Sequence, residues 1–446
     1  MSTAFASIPV APGRLPLLGH AFQLFFQPLP FLAGLRPPGG LVRVDIGRLP
    51  MYLLTDPGLT HQVLHDSRTF DKGGALFDKV RELTGNSLLT SAYDDHRLQR
   101  RQMQPAFARR RIAGYVDVMN DAIEGVVDTW SDGQTVDIGA ACYDITARTA
   151  SRTMFATEVA GRDAISLSDD LSIYLRGLFV RMMMPTGLRW IPTPDRLRFD
   201  RAVGRLHQAI DRVIASYREA GVDRGDLLSM IVKGRHEDGS AWSAKEVHDQ
   251  VITLLLAGIE TTGGVMSWTL YLLSRHPAIA QAAAREVDAV FAGRQPDFEG
   301  LAGLHLLRRA MMEALRLYPP GWIFTRVVTR RTALGPHELL PGDGLAYSPY
   351  IHHRNPGLFD DPMRFDPDRW LPEHRHEIPE NGFIPFGGGV HQCIGDQFGM
   401  TEVLLALSAI LMRWRLHAIE ARPVMPVPRR ATLTPSRFKV KVARRR

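Results

Sequence analysis

The sequence predicts a mainly α fold with small β-sheets. Apolar residues recur at helical spacing through most of residues 97–316. Runs with strand character are short and bounded by Gly and Pro, as at Leu41–Ile46 and residues 51–55. After Pro319 the chain turns irregular and rich in Pro, Gly and His, until residues 394–414 resume a long, amphipathic helical pattern.

With 45% hydrophobic and 23% charged residues, the chain has ample material for a large buried core. No Gly/Ser/Pro-rich linker, low-complexity run or repeat divides its 446 residues. They therefore read as one unit, β-rich over about residues 1–95 and helical over about 96–446. The first apolar segment, residues 22–35, is broken by Gln27, Pro28 and Pro30, and no run of about 18 uninterrupted apolar residues occurs. The opening nine residues lack the basic and apolar regions of a secretory signal. No transmembrane anchor is expected, and the protein is expected in the cytoplasm.

The formal charge is +7, yet Lys stands only at positions 72, 79, 233, 245, 439 and 441, so Arg dominates throughout. A compositional bias produces that pattern without a nucleic-acid partner, and none is expected. Clusters at Arg97, Arg100 and Arg101 and at residues 109–111 are denser than the mean and suit docking of an acidic protein.

One long helix is announced by Ser243 and Glu246, spaced as a capping box, and closed by Pro277. At about 1.5 Å per residue it spans roughly 50 Å. Its middle, Ala257-Gly258-Ile259-Glu260-Thr261-Thr262-Gly263-Gly264, is a poor helix former, since an interior Gly costs about 1 kcal/mol relative to Ala. Three readings compensate for that cost. In the first a flat ligand approaches the backbone at Ala257 and Gly258; in the second Thr261 bonds a preceding carbonyl and opens a kink; in the third small residues let another helix pack closely. An acid and a hydroxyl, Glu260 and Thr261, amid apolar neighbours favour a functional role.

Two cysteines exclude a disulfide framework. Cys142, in Ala140-Ala141-Cys142-Tyr143, reads as a small buried hydrophobe. Cys393 differs, because its flanks are conformational devices. Phe386-Gly387-Gly388-Gly389-Val390-His391-Gln392-Cys393-Ile394-Gly395 joins irregular chain to a helix whose first amides are placed to favour a thiolate. No zinc-like Cys/His array accompanies it, which leaves a single-thiolate ligand such as haem.

This loop, followed by Glu402, resembles the haem-binding signature of the cytochrome P-450 family, with His391 where that family usually carries Arg. Three further segments agree in order. Residues 257–262 resemble the oxygen-activation motif, Glu313-Ala314-Leu315-Arg316 the Glu-x-x-Arg helix, and residues 361–370 the meander whose Arg369 completes a buried triad. The resemblance runs from the Pro12-Gly13 and Leu18-Gly19-His20 opening to the C-terminal strands.

It implies a cytochrome P-450 fold with the long helix over haem b, and a monooxygenase in which Cys393 is the axial iron ligand. His96, Arg100, Arg326 and His391 are then expected to hold the haem propionates. Phe386, Gly387 and Gly395 would cradle the thiolate side, and Ala257 and Gly258 the opposite face. Thr261 and Glu260 would manage the protons that cleavage of dioxygen requires. Electrons are expected from NAD(P)H through an external ferredoxin reductase and ferredoxin.

The family's variable loops place the substrate wall near Phe77, Val80 and Leu83 in an early loop, near Leu178 and Met182, at Trp322, Ile323 and Phe324, and at Leu433. Such a wall suits a hydrophobic molecule, and the chain resembles the sesquiterpene-oxidising branch, which implies a terpenoid of secondary metabolism such as antibiotic biosynthesis. A fatty-acid hydroxylase, a peroxide-driven haem-thiolate enzyme and a non-catalytic haem sensor are the alternatives. A monomer is expected.

Overall fold

The computed structural model describes residues 5–445 apart from 156–169, 171, 172, 175, 176, 178–180, 182–192, 222–225, 380, 421 and 428–431. Two short helices, α1 (Ala21–Phe26) and α2 (Pro28–Ala33), precede strands β1 (Leu41–Ile46) and β2 (Leu49–Leu54). The second strand begins two residues earlier than the apolar run implies. Gly47 takes φ +63°, so the chain reverses at once and Ile46 already pairs with Leu49.

The sheet is not confined to the first 95 residues. Its order is β1-β2-β5-β4-β3, in which β3 is Phe70–Asp71, β4 is Phe324–Val328 and β5 is Gly344–Tyr347. The parallel β2–β5 pairing draws the segment after Pro319 back onto the N-terminal hairpin. A three-stranded sheet joins Thr135–Asp137 to Lys439–Arg444 and Trp414–Ala418, and Thr332–Leu334 pairs with His337–Leu339.

Among the helices that position the site are α3 (Ala75–Thr84), α4 (Tyr93–Met103), α5 (Ile138–Phe155), α6 (Pro194–Ala220), α7 (Ala244–Arg275), α8 (His305–Leu317) and α9 (Asp396–Arg413). The capping box of α7 closes as expected: Glu246 N donates to Ser243 Oγ at 3.2 Å, and Ser243 N to Glu246 Oε2 at 2.7 Å. Among the described residues α7 alone is long and apolar enough to cross a membrane, but most of it is buried within the fold.

Helix α9 departs from its amphipathic expectation. Thr401 to Leu411 are buried without interruption, because α7 and the helices Val116–Val127 and Pro277–Phe291 enclose it. A helix buried all round needs no polar stripe.

Candidate functional site

The two glycines on either side of Glu260 serve different ends. A Cβ on Gly258 would meet nothing within 4 Å, whereas one on Gly263 would stand 3.1 Å from Thr146 Oγ1 of α5. Close helix packing therefore explains Gly263, and Thr146 Oγ1 donates across that contact to Ile259 O at 3.1 Å. On the other side Ala257 is exposed and Gly258 and Thr261 are half-buried, although nearly every neighbour along α7 is buried. Thr261 Oγ1 donates to Ala257 O at 2.5 Å, the back-bond expected of it, while Glu260 is buried. These residues form an accessible strip, one turn long, in the interior.

The cysteine loop is held by backbone geometry. Gly387 and Gly389 take φ +72° and +62°, and a Cβ on Gly389 would lie 2.2 Å from Leu64 O. Cys393 N donates to Phe386 O at 2.9 Å, and Arg100 Nη1 donates to Gln392 O at 2.5 Å. Gly395 stands just ahead of α9, with φ −98° and ordinary contact to Phe107.

Cys393 is accessible, yet its sulfur lies among protein atoms on most sides. The Gly395 amide favours the thiolate, as expected of the helix start, but it is outweighed. Burial pushes the thiol up and the Asp396 carboxylate adds to this, outweighing the Gly395 N–H and Arg100, which pull it down. The thiolate needs a further cation to be stable. Cys142 is buried inside α5 with its thiol pushed up to about 12, mainly by burial, as suits inert packing.

His96, Arg100, Arg326 and His391 do come together, and Lys72 joins them unforeseen. The His96 and His391 rings meet edge-on at 4.3 Å. Burial drives His96 down to about 3, assisted by Lys72, Arg100 and Arg326. His391 is held far below its ordinary value by burial and the same cations, with His96 contributing. Lys72 is buried, donates to Leu88 O at 2.8 Å and is depressed by burial and then by Arg326, with Asp71 opposing.

His96 Nδ1, both ring nitrogens of His391 and Arg326 Nε make no hydrogen bond, and Asp71 stands 3.8 Å from His391. Two arginines and a buried lysine beside imidazoles whose ring nitrogens lack partners are the complement of a buried dianion. The group of residues fits haem propionates. Lys72 left one trace in the sequence, a scarce Lys beside Gly73-Gly74.

Glu313 and Arg316 are wholly buried in a two-pronged pair, at 2.8 and 2.7 Å. Arg369 Nε reaches Glu313 at 3.5 Å, completing the expected triad. Trp370 Nε1, at 2.9 Å, and Asp366 N, at 3.1 Å, also donate to Glu313.

The candidate substrate wall is scattered. Phe77 and Val80 lie on α3, a helix and not the loop expected, because Ala75–Thr84 satisfies its own backbone between Gly74 and Gly85. The side chain of Leu83, and Leu178 and Met182 altogether, lie outside the described residues. Trp322 and Leu433 are buried in one cluster with Ile323 packed against it, whereas Phe324 stacks on Tyr347 at 5.3 Å in another.

The basic surface also carries acids. An open cleft of about 1280 Å³ is lined by Arg97 and Arg101 but also by Asp94, Asp95, Glu237 and Asp238.

Glu402 of α9 is a further buried acid. Its Oε1 makes no hydrogen bond, and burial raises the carboxyl to about 8, with the nearby Thr149 hydroxyl offsetting this only in part. The folded value lies above the unfolded one, so folding retains a proton between about pH 4.5 and 8. Stability falls as pH rises through that window. Glu402→Gln is expected to be near neutral at pH 4.5 and stabilising by a few kcal/mol at pH 8, in thermal or urea melts. An equal effect at both pH values would show that Glu402 folds ionised.

A model of the family described as Cytochrome P450 matches residues 9–442. Cyclooctatin synthase of Streptomyces melanosporofaciens is 43% identical over 422 residues, 94% of this chain and 92% of that protein. Pentalenene oxygenase of Streptomyces avermitilis is 39% identical over 98% of this chain and 97% of its own length. The crystal structure of the cytochrome P450DA heme domain superposes with a TM-score of 0.87 at 28% identity, covering 99% of this chain and 98% of that one.

Proposed function

Because this chain belongs to the cytochrome P450 family and is a haem-thiolate monooxygenase, we propose that its substrate is a terpenoid of secondary metabolism and that the residues gathered above carry the reaction. The observations that support the site are an accessible strip on a buried helix, an accessible cysteine, and a cluster of basic side chains with unpartnered ring and guanidinium nitrogens.

Haem, when bound, would supply dioxygen activation. Cys393 Sγ would hold its iron. His96, Arg100, Arg326, His391 and Lys72 would hold the propionates, giving partners to ring and guanidinium nitrogens that lack them. Phe386, Gly387 and Gly395 shape the sulfur side, and Ala257 and Gly258 keep the opposite side free of side chains.

Thr261 Oγ1 positions the proton consumed in turnover, releasing its bond to Ala257 O, and Glu260 passes protons to it. The intact acid–hydroxyl pair favours electron-driven oxidation over a peroxide-driven route. Thr261→Ala is expected to keep its haem while product formed per electron falls on the order of tenfold and free hydrogen peroxide rises. Unchanged coupling would remove Thr261 from this role.

Electrons reach the protein from NAD(P)H through a ferredoxin reductase and a ferredoxin, in the cytoplasm, with the enzyme monomeric. Arg97, Arg101 and residues 109–111 supply the ferredoxin contact, although the adjoining acids leave its field mixed. The whole chain acts as one unit.

The terpenoid reading draws on the names of cyclooctatin synthase and pentalenene oxygenase and on the apolar residues Trp322, Ile323 and Leu433. Titrating the ferric protein with cyclic terpenes and with fatty acids tests it. A high-spin shift is expected with a terpene, and a response to fatty acids alone would favour a fatty-acid hydroxylase.

A further inference from the structure

We propose that Gln250 of α7 is a positioning residue for the haem, acting through the backbone of Leu88 and the side chain of Lys72. The inference rests on the assignment of Lys72 to the propionates. Leu88 N donates to Gln250 Oε1 at 2.9 Å, and Leu88 O accepts from Lys72 Nζ at 2.8 Å. One residue is thus held on one side by the long helix and on the other by the basic cluster. Its side chain is buried with Met103 of α4 and Val247 and Val251 of α7, so the carbonyl offered to Lys72 is fixed by amide and side chain alike.

Lys72 has need of a fixed acceptor. It is buried, and Arg326 and Arg100 repel its charge. Asp71, the acid that opposes them, accepts from two backbone amides, Lys72 N at 2.7 Å and Tyr93 N at 2.9 Å. A long, flexible stem in a repelling field keeps one place only if something holds its tip. Among charges, Lys72 acts most strongly on both His96 and His391, so its place sets the field of the whole cluster. A propionate would hold this nitrogen as an ammonium, and its bond to Leu88 O would then be charge-assisted. Each bond strengthens the other.

Gln250 is otherwise a costly residue where it stands. It is buried to 1% exposure on an apolar helix, upstream of residues 257–262, and an amide so placed must be hydrogen-bonded. Two of its neighbours on α7 hold the same segment at other points. Asp249 Oδ2 accepts from Asn86 N at 3.0 Å, and Thr253 Oγ1 donates to Ser87 Oγ at 2.7 Å. Of these three bonds only that of Gln250 reaches the residue whose carbonyl meets Lys72. Thr253 therefore supplies a control that loosens the segment without freeing Leu88.

The rate of haem transfer from the haem-loaded full chain to an apoprotein acceptor, with the midpoint potential of the iron, tests the proposal. Lys72→Met is expected to speed transfer on the order of tenfold. It should also lower the potential, since removing a cation beside the propionates favours ferric iron. Gln250→Met keeps the length and helix preference of the side chain but removes the acceptor; it should speed transfer about threefold and move the potential the same way. Added to Lys72→Met it should change neither readout further, because its effect runs through that lysine. Thr253→Val should leave both at the parent's values.

Coupling is reciprocal, so Lys72→Met should also speed hydrogen exchange at the Leu88 amide, which bonds Gln250 and not the lysine. This measurement stands even if Gln250→Met does not fold. Additive effects of the two Met variants, equal effects of Thr253→Val and Gln250→Met, or unchanged exchange at Leu88 would each overturn the proposal. Faster haem release by Lys72→Met with none by Gln250→Met would sink this inference alone. A Lys72→Met protein that kept haem as tightly as the parent would remove Lys72 from the propionates, and the proposal with it.

Discussion

A Cys393→Ser variant is expected to lose the red-shifted Soret band of the reduced carbon monoxide complex and to lose monooxygenase turnover by at least about a thousandfold. A serine hydroxyl stays protonated at neutral pH and donates far less electron density to iron. The surroundings of Cys393 sharpen the expectation. Burial already raises its thiol, with only the Gly395 N–H and Arg100 opposing, so a bound metal cation would be what keeps the sulfur as an anion. An oxygen at this position gains even less from those two donors. The other cysteine offers no substitute, since Cys142 is enclosed within α5 and its thiol is raised to about 12. Absorbance of the reduced, carbon monoxide-treated variant, with haem content measured separately, checks this. A retained thiolate band would mean that the iron ligand is not Cys393.

What the sequence made legible is mostly what rests on local chemistry. Ser243 and Glu246 marked the start of α7, and Pro277 its end, because capping and ring geometry act over a few residues. The triad was legible for another reason: Glu313 and Arg316 share a helical face, and the segment holding Arg369 follows in a recognisable pattern. Gly258 and Gly263 were indistinguishable by sequence. Only the crossing of α5 shows that one faces an open interior and the other the Thr146 hydroxyl. Lys72 was missed because its partners in the cluster lie 24 to 319 positions away, at His96, Arg100, Arg326 and His391. Helix α9 misled because its surroundings are apolar on every side, a property of the packing and not of the helix. The substrate wall was least legible, since core and pocket draw on the same apolar residues, and Trp322 and Leu433 pack as core.

Replacing Arg316 is expected to have the largest effect on stability. The guanidinium donates twice to Glu313, and also to His353 O at 2.8 Å, Pro362 O at 2.7 Å and Arg364 O at 3.1 Å. Removing one partner of a buried ion pair costs about 3–5 kcal/mol, and here three carbonyls are orphaned as well. Arg316→Lys should be nearly as damaging as Arg316→Met, since a single ammonium cannot fork to Glu313 and reach the carbonyls. Adding Glu313→Leu to Arg316→Met should recover little, because the Trp370 and Asp366 donors then lose their acceptor. An isolated pair would behave differently, with the apolar double variant restoring most of the loss. The damage should reach the haem. His353, whose carbonyl Arg316 holds, accepts from Ile384 N at 2.9 Å through Nε2, and Phe386 O, two residues on, accepts from Cys393 N. Loosening Arg316 therefore frees the loop that presents the sulfur. Urea melts and the rate of haem transfer to an apoprotein acceptor should worsen together, and an Arg316→Lys protein that kept haem as tightly as the parent would show that the network packs the fold without positioning Cys393.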